Sequence, residues 1–323
     1  MSQLLLGIDI GTYSSKGVLC HLDGVIIAES RADHEMSIPK PGYAEHDADA
    51  VWWSDFTKIS KDLSKKVPQG DQIAGVGVSA IGACVLPVDE NGKPLRPGIL
   101  YGVDTRAISQ IEELENKYTR EALVEFGGSR LTTQATGPKI LWIKQNEPEI
   151  YRKTAKFITS TSYLIFRLTG NYVIDAHTAT EFNPLLDIKT VSWDGRFAED
   201  ITSLDKLPEI GWSDEVAGRV TAKASAETGI PVGTPVNFGA VDALSEAVSV
   251  GVVDFGELMI MYGSTAFFIF LINKPVPTNE LWLEAGAFKG QYEYSAGLST
   301  SGSATTWFRD QFGKDLLQAE SAG

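Results

Sequence analysis

The chain opens on an apolar, β-prone run over residues 4–10 that Gly11-Thr12 breaks. Residues 16–22 read as a second strand, Asp23-Gly24 as a two-residue hairpin signal, and residues 25–30 as the returning strand. A loop with two prolines follows over residues 38–43. The period then turns helical: Trp52, Phe56, Ile59, Leu63 and Val67 recur at spacings of three and four, predicting a helix over 48–67 with Asp47 or Asp49 as its N-cap. Residues 73–79 predict a short buried strand, residues 85–95 a hairpin about Asn91-Gly92, and residues 99–103 another strand. Antiparallel strands, a helix, then a further strand fit a ribonuclease-H-like α/β layer better than a strict βαβ repeat.

Residues 104–170 are mostly helical in pattern, with Pro138 and Pro148 where helices can start. A loop and strand are predicted over 231–240 and a helix over 242–250, and Gly251 and Gly256 bracket a hinge. Beyond it the opening scheme recurs. An apolar run from Leu258, the small-residue turn Gly263-Ser264-Thr265 and a second apolar run over 266–272 repeat residues 4–22, suggesting two related lobes. The chain divides accordingly into residues 1–252 and 253–323. The roughly 70 residues after the hinge are too few to copy the first lobe, which predicts a truncated second lobe.

Charge narrows the partners. Twenty-eight basic against 42 acidic residues leave a formal charge of -14, which offers no basic stripe for nucleic acid and disfavours an anionic membrane surface. The most apolar run, 258–272, is interrupted and shorter than a bilayer span of about 20 residues. No signal-peptide pattern precedes residue 4, and two cysteines, Cys20 and Cys84, cannot form a disulfide framework, so a reducing cytoplasm is expected. His21, His34, His46 and His177 show no metal-ligand spacing, which argues against zinc.

Four constellations can carry chemistry. In the first, Gly11 lets backbone approach a phosphate, Thr12 and Ser14 offer hydroxyls, Lys16 can neutralise phosphate oxygen, and Asp9 at a strand end can hold Mg²⁺. Its alternative is a plain hairpin with Asp9 and Lys16 solvated. The second is Gly263-Ser264-Thr265, a common turn whose interest lies in its pairing with the first. In the third, Gly239-Ala240-Val241-Asp242-Ala243, Asp242 sits at a strand-to-helix junction, where it can take a hydroxyl proton or simply cap the helix. The fourth surrounds Tyr101, Asp104 and Arg106, which can bind sugar hydroxyls or pair with each other. Trp52 and Trp142 lie on apolar helix faces and read as core.

Together these stretches resemble the FGGY carbohydrate kinases (xylulokinases and glycerol kinases among them), in the wider group with actin, hexokinase and the large heat-shock chaperones. The resemblance runs through Gly7-Ile-Asp-Ile-Gly-Thr with Lys16, Pro41-Gly-Tyr-Ala-Glu45 before Trp52-Trp53, Leu95 to Arg106, Gly137-Pro-Lys-Ile-Leu-Trp142, Glu147-Pro-Glu149, Arg167-Leu-Thr-Gly170 with Asp175, Gly239 to Asp242, and Gly263 to Thr265. It implies two ribonuclease-H-like lobes closing on a small sugar or polyol and MgATP. By position, Asp9 would serve the metal, and Gly11, Thr12, Ser14, Lys16, Gly263, Ser264 and Thr265 the ATP phosphates. Asp242 would be the general base, which tips its reading from cap to catalysis. Gly82 and Ala83 stand where xylulokinases carry Met-His and glycerol kinases Arg-Glu nearby, so they join Tyr101, Asp104 and Asp242 as the substrate-binding set without fixing the sugar.

The implied reaction is transfer of the γ-phosphate of ATP to a hydroxyl, with a ketose such as a pentulose the first expectation. A non-catalytic sugar- or nucleotide-binding module and a chaperone- or actin-like ATPase are the alternatives. Because the resemblance places the adenine pocket beyond residue 323, a chain ending there is expected to be a poor kinase. Its exposed apolar strands would need cover from a neighbour or a second copy in a homodimer.

Overall fold

The computed structural model describes residues 2–263, 265–298 and 300–313. Strands β1 (Gln3–Ile10), β2 (Ser14–His21) and β3 (Ile26–Asp33) form an antiparallel meander, as the turn signals predict. Strand β4 (Gln72–Ala80) runs parallel to β1 on its other side. Beyond it lie β5 (Val216–Arg219) and β6 (Pro235–Asn237), giving the order β5-β6-β4-β1-β2-β3, while β7 (Ala240–Val241) pairs with the end of β4 at Ser79 and Ala80.

The predicted helix begins as one wide turn, Ala48–Trp53, and continues as α1 (Ser54–Ser64). Asp47, not Asp49, caps it, accepting from the backbone N–H groups of Asp49 and Ala50. Trp52, Phe56, Ile59 and Leu63 are fully buried against the sheet, each stabilising the fold by about 1.5–3 kcal/mol. Gly17 on β2 makes that approach feasible, because a Cβ there would lie 2.3 Å from Ile59 Cγ2. Val67 falls past the helix end.

Two elements depart from expectation. Of the predicted 99–103 strand only Ile99 pairs with a neighbour, as the end of a two-residue strand Gly98–Ile99. The reason is the fully buried Lys139, whose Nζ donates to the Leu100 and Tyr101 carbonyls at 2.7 and 2.9 Å and takes acceptors a strand partner would need. The region 104–170 holds helices Ile108–Tyr118, Arg120–Gly127, Thr136–Asn146 and Pro148–Lys153, but a strand, Lys156–Ile158, then interrupts it before α2 (Ser160–Thr169). That strand pairs with Leu86–Val88, whose hairpin turns at Asn91-Gly92. Pro148 is the first residue of its helix, and Pro138 sits in the first turn of its own.

After the short helix α3 (Ala176–Thr180), β7 leads into α4 (Asp242–Ser249), and Gly251 and Gly256, both at positive φ, carry the chain into a second sheet. Its strands are β8 (Leu258–Tyr262), β9 (Ala266–Ile272), β10 (Trp282–Ala285) and β11 (Tyr292–Leu298), antiparallel in the order β8-β9-β11-β10. The β8–β9 hairpin repeats β1–β2. One face of this sheet leaves Leu258, Ile260, Phe268, Phe270 and Leu298 lining an open apolar groove. Among the described residues no helix is long and apolar enough to cross a membrane, and Cys20 and Cys84 are free thiols.

Candidate functional site

Two cavities meet at the first turn of α4. One, of about 660 Å³, is lined by Asp9 and Lys16 from the β1–β2 hairpin, Ser79 from β4, and Asp242 and Glu246 from α4. The other, of about 440 Å³, is lined by Gly82, Tyr101, Gln134, Glu181, Thr265 and Trp282. Asp242 and Glu246 line both.

The backbone explains how Asp242 reaches this boundary. Gly239 adopts φ +71, and a Cβ there would lie 2.4 Å from the Val78 carbonyl oxygen, so only glycine lets β7 settle against β4. Asp242 follows as the first residue of α4. The N-cap is Val241, which makes no side-chain cap bond. Asp242 Oδ1 accepts from the Ala243 N–H at 2.9 Å. Burial, then the neighbouring Asp9 and Glu246 carboxylates, push the Asp242 carboxyl up to about 7, a value suited to a base at neutral pH.

Asp9 stands directly opposite Lys16 in the β1–β2 register. Burial raises its pKa, opposed by a 2.9 Å bond from the Ser79 hydroxyl to Oδ1 and by the Lys16 charge. Four carboxylates, Asp9, Asp214, Asp242 and Glu246, and one lysine therefore face one cavity. That donor set fits Mg²⁺, which takes one or two carboxylates and leaves positions for water and phosphate oxygens.

Gly11, Thr12 and Ser14 form the turn beside this cavity, with only the flanking Asp9 and Lys16 among its walls. The turn is rigidly held. The Gly11 N–H donates to the Ser14 carbonyl at 3.0 Å, and the His34 ring bridges the Gly11 carbonyl at 3.1 Å and Asp55 Oδ2 at 2.8 Å. Ser15 donates to the same Asp55 oxygen at 2.7 Å. Thr12 Oγ1 lies 3.0 Å from the Tyr101 hydroxyl, which ties the turn to the second cavity. Across the cleft, Thr265 lines that cavity and its carbonyl accepts from the Gly263 N–H at 2.8 Å. Ser264 lies outside the described residues.

The substrate-binding set divides. Gly82, Tyr101 and Asp242 line the second cavity, but Ala83 is fully buried and absent from its walls. Asp104 is not brought to the cleft either. Both its oxygens are spent on the Ala44 N–H at 2.7 Å and on the Arg106 guanidinium at 2.7–3.0 Å. Arg106 also reaches Glu45 at 2.8 Å and packs over the Tyr43 ring, while Arg96 pairs with Glu45 and Glu147. Segments 41–45, 95–106 and 147–149 thus converge in a buried ion network under Tyr101. Of the tryptophans, Trp52 is core as read, whereas half-buried Trp142 stacks on Arg96 and Arg106.

Sequence reading missed one group. His177, Glu181, Glu284 and Ser295 line the inner end of the second cavity, with Glu293 fully buried behind them. Ligating atoms of His177, Glu284 and Glu293 lie within 4.8 Å of one another. Burial alone would lower the His177 pKa, but Glu293, Glu284 and Glu181 push it up to about 9. Burial drives Glu293 up to about 8 and Glu181 well above the carboxylate range. These residues are separated by up to 118 positions in the chain, and no local spacing signals their meeting.

The sequence profile of the FGGY family of carbohydrate kinases, N-terminal domain, matches residues 4–249. A xylulose kinase of Lactococcus lactis is 28% identical over 97% of this chain and 62% of its own length. Glycerol kinase 2 of Streptomyces avermitilis is 28% identical over 96% of the chain and 63% of its own. Among solved structures, the xylulose kinase of Rhodospirillum rubrum superposes with a TM-score of 0.92 at 26% identity, covering 99% of this chain and 65% of that one. The chain spans a little under two thirds of the length of these relatives.

Proposed function

Because the chain belongs to the FGGY family of carbohydrate kinases, and so has the actin- and hexokinase-like α/β fold, we propose that the protein transfers the γ-phosphate of ATP to a hydroxyl of a small sugar or polyol. A ketose such as a pentulose is the first candidate. The observation that carries this reading is the position of Asp242, shared by both cavities and pushed up to about 7. Residues 1–252 then act as the sugar-binding domain and 253–323 as part of the ATP-binding domain.

The 440 Å³ cavity takes the acceptor and the 660 Å³ cavity the phosphates. Asp242 Oδ2, free of the Ala243 bond, orients the acceptor hydroxyl and takes its proton as the oxygen attacks the γ-phosphorus in line and the bond to the leaving ADP breaks. Lys16 offsets charge on the phosphate oxygens. Asp9, with Glu246 nearby, would hold Mg²⁺, which would neutralise charge on the phosphate oxygens. Thr12 of the clamped turn beside the 660 Å³ cavity, and Thr265 on the wall of the acceptor cavity, offer hydroxyls from opposite lobes, and the clamp holds the first in place as charge spreads. Gly263, Ser264 and Ser14 are assigned to the phosphates with them. Positioning of this kind is worth about 7–11 kcal/mol of barrier, so lobe closure matters as much as the base.

The test is a product assay on the complete protein with γ-labelled ATP and a panel of ketopentoses, ketohexoses and polyols. A labelled sugar phosphate that depends on Mg²⁺ is expected. Tight binding of a sugar without any phosphorylated product would overturn the kinase reading.

A further inference from the structure

The inner end of the acceptor cavity is unusually acidic. Glu181, just after α3, lines it beside Glu284 of β10 and His177. The Glu181 backbone is fixed, since its carbonyl accepts both the N–H and the hydroxyl of Thr136, at 2.8 and 3.0 Å. Its carboxylate oxygen Oε2 is buried without any hydrogen-bond partner. Glu284 is partly satisfied by the Ser295 hydroxyl at 2.6 Å, and His177 Nδ1 donates to the Ala285 carbonyl at 3.0 Å.

Gly82 packs tightly against Val241 beside Glu181. A Cβ there would strike Val241 Cγ1 at 1.9 Å and come within 3.7 Å of Glu181 Oε2. A buried carboxylate oxygen left unpaired is costly, and a ligand hydroxyl would remove that cost. The burial and the Glu284 charge that push the Glu181 carboxyl up would act equally against a carboxylate brought in by a ligand, with His177 the one cation lining that cavity.

From this geometry we infer that Glu181 is a specificity-determining residue, pairing with a hydroxyl of the substrate, and that the cavity selects uncharged polyhydroxy compounds over sugar acids. The inference rests on reading this cavity as the acceptor site. Its test therefore uses binding, which needs no ATP.

Calorimetric titration with D-xylulose, glycerol and D-gluconate should show a neutral ligand bound at least about tenfold tighter than gluconate. Glu181→Gln should narrow that ratio by about tenfold while the Tm holds, a change that a merely structural role would not produce. Gluconate bound as well as the neutral ligands, no binding of either neutral ligand, or an unchanged ratio in a folded Glu181→Gln variant each overturns the proposal. If that variant does not fold, the wild-type ratio alone decides. Zn²⁺ or Mn²⁺ held stoichiometrically by the wild type and lost in Glu293→Gln would assign the cluster to a cation and also overturn it. Discrimination among ligands without phosphoryl transfer would sink the kinase reading and leave this inference standing.

Discussion

The Tyr101 hydroxyl meets the Thr12 hydroxyl at 3.0 Å, so one hydrogen bond joins the turn beside Asp9 to the wall of the acceptor cavity. Lys139 holds the Tyr101 carbonyl from behind, which leaves the phenol as the adjustable part of the junction. Tyr101→Phe removes one part-buried bond, worth about 0.5–1.5 kcal/mol. The expected outcome is a rise of about two- to tenfold in KM for the sugar. Steady-state kinetics check it, and unaltered KM and kcat would detach the turn from the acceptor site.

Asp242→Asn keeps the shape of the residue and removes its ability to accept a proton. Turnover in the complete protein should fall by about 10²–10⁴, while sugar affinity, read by calorimetry, stays within about threefold. Turnover near the wild-type rate would refute the assignment of the base.

The pH dependence follows from the same group. A base must be deprotonated, so kcat/KM should climb with pH and level off above about 7. The sign for stability is opposite. The fold favours the protonated carboxyl, so that stabilisation is complete below the unfolded value near 3.8 and is lost as pH rises through about 7. Asp242→Asn should therefore gain stability relative to wild type across that window in denaturant titrations. Asp9→Asn removes a like charge and should move the Asp242 midpoint down, measurable by carboxyl NMR. A midpoint that stays put would mean Asp9 and Asp242 do not sense each other.

Gly82→Ala tests the floor of the acceptor cavity. The new methyl meets Val241 at 1.9 Å, and forcing atoms into packed space typically costs about 1–3 kcal/mol. Sugar affinity should fall with it. Gly77→Ala on β4, with nothing within 4 Å of its Cβ, is the control. Equal Tm values for the two variants would contradict the close packing at Gly82.

Much of this was legible in the sequence because it is local. The β1–β2 hairpin is written in a run broken by Gly11-Thr12, α1 in the spacing of Trp52, Phe56, Ile59 and Leu63, and Asp242 in its place between an apolar pair and a helical period. The inner end of the acceptor cavity was not legible. Glu181 and Glu284 are ordinary acidic residues until α3 packs against β10, a contact set by the tertiary fold. Asp104 misled for the complementary reason. A polar residue after an apolar run looks like a cleft residue, and only the approach of Ala44, Glu45 and Arg106 shows both its oxygens already taken.

That network supplies a further prediction. Asp104 and Arg106 side chains are fully buried, and Glu45 and Arg96 are nearly so. Removing one partner from such a group leaves an uncompensated buried charge, which typically costs about 3–5 kcal/mol. Asp104→Ala should lose stability on that scale, because Arg106 keeps only Glu45 and the Ala44 N–H loses its acceptor. A sugar ligand would behave differently: its loss would weaken binding and spare the fold. Chemical denaturation and calorimetry on the same variant separate the two. A large drop in unfolding free energy with sugar affinity kept in the folded fraction is expected. Intact stability with affinity lost would return Asp104 to the cavity wall and show that the ion network is not what holds Tyr101 in place.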